Sequence, residues 1–173
     1  MASTNRIDGI SFRFDGPTGQ NFVGVWPSIS VFIGTGSRNP DSLSPRYSDN
    51  GNNDSIQVYG GSLTIVANDM STLRPFEIRI PFNTPFLYEP SKGNLVVAFA
   101  SSSGPTNLVL DGHFASGDSV GRIFGDGVSN MGTPDTFGLI TRFDLTVIPE
   151  PSTWTLLSLG LGLLFIFRQR QSR

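Results

Sequence analysis

The sequence predicts an all-β protein: a single β-sandwich domain of jelly-roll type, followed by one C-terminal transmembrane helix. Short segments with an apolar residue at every second position recur before residue 148, with turn signals such as Asp15-Gly16-Pro17 and Asp49-Asn50-Gly51 between them. Good helix formers are scarce in this part, and the whole chain has one lysine. The last stretch, in contrast, is apolar, uncharged and closed by arginines. We therefore expect a body over residues 1–147 and a separate C-terminal segment over residues 148–173.

Six regions carry the strand predictions. In chain order they are residues 10–14, 29–33, the pair 56–58 and 63–65, 76–80, 95–100 and 137–147. The pair flanks Gly60-Gly61, which predicts a hairpin with a tight glycine turn. The continuous apolar run over residues 95–100 predicts a central strand buried on both faces. No fixed-period repeat is present, so a solenoid or propeller is not expected.

Composition excludes several classes of function. The chain has no cysteine, so disulfides, thiol catalysis and thiolate metal sites are ruled out. The net charge is −2, and the body without the three C-terminal arginines and Glu150 keeps 9 basic and 13 acidic residues. A mildly acidic body with no basic stripe argues against nucleic-acid binding.

The C-terminal segment consists of three physically different pieces. Pro149-Glu150-Pro151 cannot be helical, because proline pushes the residue before it towards extended geometry. Residues 154–167 form the apolar run, and the last piece carries Arg168, Arg170 and Arg173. A helix over residues 152–167 would be about 24 Å long at about 1.5 Å per residue. It would span a bilayer core of about 30 Å only if the arginines snorkel or the bilayer thins. The alternative is a buried C-terminal core helix.

The arginines also predict the orientation of this helix. Positive charge stays on the cytoplasmic side of a membrane, which places the C-terminus inside and the body outside. The order Pro-Glu-Pro, Ser-Thr-Trp, Leu/Gly-rich helix and terminal arginine cluster resembles the PEP-CTERM sorting signal. This resemblance implies export in a Gram-negative bacterium and retention in the inner membrane. It also implies processing near Pro149, Glu150 and Pro151 by an exosortase, followed by release to the cell surface or an extracellular polysaccharide matrix.

The first residues, MASTNRIDGISFRFDG, contain no basic, then apolar, then small-residue signal segment. An outside body requires one, so we expect the true start to lie upstream. The alternative is a copy that is never exported. Residues 7–100, with the stretch FEIRIPFNTPFLYEPSKGNLVV, are also similar to a body found in many PEP-CTERM proteins. That resemblance implies architecture without chemistry, with Pro85, Phe86, Tyr88 and Gly93 shaping a loop before a buried strand.

Two binding sites can be predicted from the residues of the body. The densest oxygen cluster is the acidic loop, residues 49–54, where Asp49, Asn50, Asn52 and Asp54 could bind calcium, although the spacing is not that of an EF-hand. Carbohydrate binding needs exposed aromatic rings beside polar groups. The candidates for it are Trp26, Tyr47 and Tyr88, with core packing as the alternative for Trp26.

Catalysis finds little support in the sequence. His113 is the only histidine, and no G-x-S-x-G elbow accompanies it. Glu77 is interpreted as half of a cross-strand ion pair beside Arg79, and Glu89 as a turn residue. We therefore expect a non-enzymatic exported envelope or matrix protein whose partners are an exosortase and the inner membrane. The alternative function is a carbohydrate-binding module for exopolysaccharide.

Overall fold

A computed structural model describes residues 5–17, 21–68 and 75–148. The prediction of an all-β body is confirmed, since strands dominate these residues and their only helical pieces are three short 3-10 turns, Pro40–Ser42, Tyr47–Asp49 and Pro90–Lys92. The strands are β1 Asn5–Phe12, β2 Asn21–Gly36, β3 Ile56–Asn68, β4 Ile78–Tyr88, β5 Asn94–Ser101, β6 Gly112–Phe114, β7 Arg122–Phe124, β8 Thr133–Asp135, β9 Phe137–Leu139 and β10 Thr141–Val147.

Two three-stranded antiparallel sheets form the framework. The first has the strand order β10-β1-β4 and the second the order β3-β2-β5. Two small two-stranded sheets, β6-β9 and β7-β8, are added by the later part of the chain. Arrangement of the strands as a jelly roll stays a prediction.

Both large sheets contribute to one hydrophobic core. The alternating strands place every second side chain on the buried face, as their period of two requires. The first sheet supplies Ile7, Ile10, Phe12, Ile78, Ile80 and Phe86, and the second supplies Ile29, Val31, Ile33, Val58, Leu63, Ile65 and Ala67. All of these side chains are buried, and five isoleucines are among the most completely buried.

The hairpin expected at Gly60-Gly61 is wrong. Residues 56–68 form the single strand β3, because the long strand β2 pairs with its whole length. The glycines lie at an irregularity, where the pairing of Trp26 with Leu63 is followed by that of Ile29 with Gly61. Gly61 has φ of +139° there, a conformation that other residues rarely adopt.

The buried central strand expected over residues 95–100 is also wrong. Strand β5 lies at the edge of the second sheet, next to β2, and none of its residues is buried. One face still contributes to packing, since Leu95 and Val97 contact the core and the ring of Phe99 lies 5.7 Å from that of Phe12. A continuous apolar run shows that a segment has few polar side chains, but it does not show whether the strand has a neighbouring strand on one side or on both.

The long alternating run over residues 137–147 is divided into two strands. Strand β9 pairs with β6, whereas β10 pairs with β1. Between them, Ile140 donates its backbone N–H to the carbonyl oxygen of Asp111. Strand β10 forms the edge of the first sheet, which leaves Leu145 and Val147 more than half exposed.

Candidate functional site

The acidic loop binds the end of strand β2. The Asp54 carboxylate accepts two hydrogen bonds from Thr35, one from its backbone N–H at 2.9 Å and one from its hydroxyl at 2.8 Å. Thr35 is only 2% exposed, so these bonds satisfy polar groups that water does not reach. The backbone N–H of Thr35, as the largest cause, lowers the pKa of Asp54 below its usual value.

Two of the three asparagines of the loop, Asn50 and Asn52, have side-chain partners within the protein. Asn50 is buried, accepts a hydrogen bond from the Ser44 backbone N–H and donates to the carbonyl oxygens of Ser44 and Arg46. Asn52 donates to the Thr35 hydroxyl and to the carbonyl oxygen of Lys92. The side-chain oxygens of Asp49, Asn50 and Asp54 therefore have donors within the protein, and Asn52 is bound through its amide nitrogen.

The four predicted calcium ligands are divided between two partners, Thr35 for Asn52 and Asp54 and Ser44 for Asp49 and Asn50. The carboxylates of Asp54 and Asp49 accept hydrogen bonds from different residues, Thr35 and Ser44. In the part of the chain that the structure describes, no group of three or more His, Cys, Asp and Glu side chains could hold a metal ion. Calcium binding by this loop stays a prediction, and the geometry indicates a structural role.

The three aromatic candidates for carbohydrate binding are held apart. The Trp26 ring packs on the core, and its indole nitrogen lies where a side chain at Gly104 would begin. Tyr88 donates its hydroxyl to the carbonyl oxygen of Gly93, which is close to Gly36 at the far end of β2. Ten residues of strand separate Trp26 from Gly36, which is about 30 Å. The structure therefore does not join Trp26 and Tyr88 in one groove.

Tyr47 lies against the β7-β8 hairpin. Its hydroxyl lies close to Gly125 and Gly132, and any side chain at either glycine would collide with it. Beside these glycines, a shallow groove of about 330 Å³ is lined by Phe124, Gly125, Asp126, Ser129, Met131, Gly132 and Thr133. Tyr47 thus supports the hairpin from one side and is half-buried.

The candidates for catalysis do not form a site in the described residues. His113 is exposed on β6, while the nearby Asp111 lies 3.1 Å from Arg13 in an ion pair. Glu89 pairs with Lys92 in the 3-10 turn that precedes β5. Arg79 pairs with Asp144 at 2.8 Å, and Glu77 accepts a hydrogen bond from the Asn68 backbone N–H, so the cross-strand ion pair expected for Glu77 stays a prediction. Strand β10 had no assigned neighbour in the sequence, so Asp144 could not be identified as the partner.

Sequence reasoning missed an arginine held by two aromatic rings. The Arg122 guanidinium lies 4.3 Å from the Phe137 ring centre and 4.7 Å from that of Phe124, and it hydrogen-bonds to both carboxylate oxygens of Asp135. The hydrogen bonds from Arg122 lower the pKa of Asp135. The only signal in the sequence was the residue pattern Arg-Ile-Phe. It does not predict the contact of Arg122 with Asp135, because that contact depends on the pairing of β7 with β8.

Strand β10 leads directly to the C-terminal segment. Val147 pairs with Asn5 at the edge of the first sheet, and Ile148 is the last residue that the structure describes. The sorting motif, the predicted membrane helix and the three arginines lie outside the described residues. Among the residues that are described, no helix is long and apolar enough to cross a bilayer.

Comparison with known proteins agrees with the resemblance found at the C-terminus. Residues 147–171 match the PEP-CTERM protein-sorting motif. No curated protein and no solved structure matches the chain. The C-terminal segment of this protein therefore carries a PEP-CTERM protein-sorting motif.

Proposed function

We propose that this protein is an exported, non-enzymatic component of the cell envelope or extracellular matrix. In this proposal the C-terminal helix first anchors it in the inner membrane with the body outside the cytoplasm. An exosortase then processes it near Pro149, Glu150 and Pro151, and the body passes to the cell surface or matrix. The observation that carries the proposal is the match of residues 147–171 to the PEP-CTERM protein-sorting motif.

The position of the motif relative to the body supports processing at the membrane surface. Strand β10 ends at Val147, so a single residue, Ile148, separates the last strand from Pro149. The two prolines flanking Glu150 predict an extended motif, because proline disfavours helical geometry in the residue before it. An enzyme that reads the motif must therefore approach close to the exposed end of β10.

The non-enzymatic part of the proposal is supported by the engagement of the acidic candidates. Glu77 and Glu89 make structural contacts, and Asp111 is paired with Arg13. A general acid or base needs a partner or substrate within hydrogen-bond reach and a suitable pKa. A carbohydrate-binding module is the second candidate function, and it is favoured by two arginines, Arg79 and Arg142, that flank Ser11 across the first sheet.

The sorting proposal can be tested in a host that carries an exosortase, using the chain behind a functional signal peptide. Replacement of Pro149 and Glu150 by alanine leaves the apolar run unchanged, so insertion should persist while processing stops. The variant should accumulate in the inner membrane at full length, and the unchanged chain should yield a shorter form. A matched control replaces Glu89 and Pro90 of the body by alanine and should be processed normally, because both residues lie outside the matched motif.

A second pair of variants tests the anchor. Replacement of Arg168, Arg170 and Arg173 by glutamate removes the positive charge that orients the helix and should impair retention. Replacement of the same three residues by lysine keeps the charge and should preserve retention. If the Pro149/Glu150 variant and the unchanged chain migrate alike and both stay in the membrane, the segment is a plain anchor and processing is refuted.

A further inference from the structure

The outer face of the first sheet carries a row of arginines around a buried hydroxyl. Ser11 on β1 pairs across the sheet with Arg142 on β10 and with Arg79 on β4. Its neighbours Ile10 and Phe12 belong to the core, so Ser11 lies on the opposite face, together with both arginines. Adjacent strands are about 4.8 Å apart, and the row from Arg142 to Arg79 therefore spans about 10 Å.

Two further residues complete this arginine face. The guanidinium groups of Arg13 and Arg142 each lie 5.2 Å from the centre of the Phe76 ring. Contacts of this kind orient a guanidinium while leaving its N–H groups available for hydrogen bonds. Phe76 thus gathers two arginines over the sheet beside Ser11.

The face contains unsatisfied hydrogen-bonding groups. The Ser11 hydroxyl and the Nε of Arg13 are the buried side-chain polar atoms without a hydrogen-bond partner in residues 5–17, 21–68 and 75–148. Arg13 Nε lies 3.1 Å from an Asp111 oxygen, which makes an ion pair without the alignment of a hydrogen bond. Ser11 is 0% exposed, and such a group ordinarily has a partner.

The charge of the face favours an anion. Arg79 is paired with Asp144 and Arg13 with Asp111, whereas Arg142 has no acidic partner among the residues described. The set therefore has one uncompensated positive charge. A single carboxylate neutralises it, whereas a phosphate dianion would leave excess negative charge beside the two aspartates. Arginine also matches the planar geometry of a carboxylate.

We propose that the arginine face binds a carboxylate-bearing saccharide, with Arg142 and Ser11 donating to the carboxylate and Arg13 and Arg79 framing it. Arg142 and Arg79 are exposed, so the ligand reaches the hydroxyl by displacing side chains and without movement of the backbone. Arg79 and Arg142 lie at the surface of the sheet, where one sugar unit of an extended chain or a free sugar acid can contact them. This inference does not depend on the sorting proposal, because it concerns the purified chain.

The test is titration calorimetry on the full chain in a non-ionic detergent, with polygalacturonate, monomeric galacturonate and neutral dextran as probes. We expect binding of polygalacturonate that weakens as salt is raised, and no binding of dextran. Binding of the monomer as well identifies a site for one carboxylate, and binding of the polymer alone identifies one that needs several sugar units. Absence of binding to either acidic probe, or equal binding of dextran, would overturn the proposal.

Three variants make the test specific. Arg142→Gln should weaken polygalacturonate binding about tenfold, the loss expected for one charge-assisted hydrogen bond. Arg46→Gln removes the same charge at an exposed site outside the first sheet and should leave the affinity unchanged. If both variants weaken binding equally, the attraction is general and the site is refuted.

Ser11→Ala separates a binding role from a structural one. The hydroxyl has no partner in the described part of the protein, so its removal should not lower the melting temperature. The same variant should weaken polygalacturonate binding severalfold, because a donor to the carboxylate is lost. A lower melting temperature with unchanged affinity would show that Ser11 serves the fold and not the ligand.

Discussion

The interaction of Asp54 with Thr35 gives the most quantitative prediction for the body. The Asp54 carboxylate accepts hydrogen bonds from the backbone N–H of Thr35 at 2.9 Å and from its hydroxyl at 2.8 Å, and the two residues are 19 positions apart in the sequence. Asp54→Ala would remove both acceptors at once. The Asn52 side chain would still donate to the Thr35 hydroxyl at 2.8 Å, whereas the Thr35 N–H would have no acceptor.

The expected magnitude follows from these contacts. A hydrogen bond to a charged group contributes about 1.5–3 kcal/mol, and an unsatisfied buried donor costs about 1–3 kcal/mol. Asp54 itself is partly exposed, which places the two bonds near the lower end of that range. We therefore expect Asp54→Ala to lower the free energy of unfolding by about 3 kcal/mol. For a body of this size, that corresponds to a decrease of roughly 10 °C in melting temperature.

The assay is thermal unfolding of the full chain in a non-ionic detergent, followed by far-ultraviolet circular dichroism at neutral pH. Asp49→Ala is the matched control, because the Asp49 carboxylate accepts one exposed hydrogen bond from the Ser44 hydroxyl. That control should cost less than about 1 kcal/mol. A double-mutant cycle with Thr35→Val would give the coupling through the Thr35 hydroxyl, because valine keeps the backbone N–H. A decrease below about 3 °C for Asp54→Ala, or equal decreases for both aspartate variants, would refute the reasoning.

Three further predictions concern pH, calcium and backbone conformation. The pKa values of Asp54 and Asp135 are lowered in the folded state, so their contribution to stability is complete above the unfolded pKa of about 3.9 and is lost as the pH falls through the folded pKa. Melting curves should therefore shift down below about pH 4, and Asp54→Asn should reduce that shift; an unchanged shift would contradict the assignment. The carboxylates of the acidic loop already have protein donors, so millimolar calcium and excess chelator should give melting temperatures within about 1 °C, and a clear rise with calcium would restore the predicted site. Gly93→Ala should lower the free energy of unfolding by about 2–3 kcal/mol, because φ is +132° and the new Cβ would lie 2.5 Å from a carbonyl oxygen of β2. Gly61→Ala should lower it clearly less, because φ is +139° but the space around the new Cβ is open. Equal decreases for the two variants would show that the backbone conformation alone determines the loss of stability.

The sequence predicted the strands whose one face is buried. Ile10 and Phe12, Ile29 to Ile33, and Ile78 and Ile80 alternate with polar or exposed residues, and the structure places each set in the core. Alternation of apolar and polar residues predicts a strand because one face of the strand packs on the core and the other does not. It failed for residues 95–100, where both faces are apolar and the strand nevertheless lies at an edge.

The contacts between distant residues could not be predicted. Asp54 was identified as a calcium ligand from its neighbours in sequence, whereas its partner, Thr35, lies at the end of another strand. In the same way, Ser11 becomes notable only when β1 is paired with both β4 and β10. Register decides which side chains meet across a sheet, and a local pattern does not fix the register.

The distribution of buried residues is consistent with removal of the C-terminal segment after export. Among the described residues, every fully buried hydrophobic side chain lies between Ile7 and Phe86. Leu139 and Phe143, in the last two strands, pack on this core and are only partly buried. The chain then leaves from edge strand β10, where Val147 is 62% exposed and Ile148 is 37% exposed. Cleavage near Pro149 would therefore occur next to two exposed residues, Val147 and Ile148. A sorting signal that is to be removed needs such a junction, because a cleaved segment that shared the core would expose apolar surface on the released body.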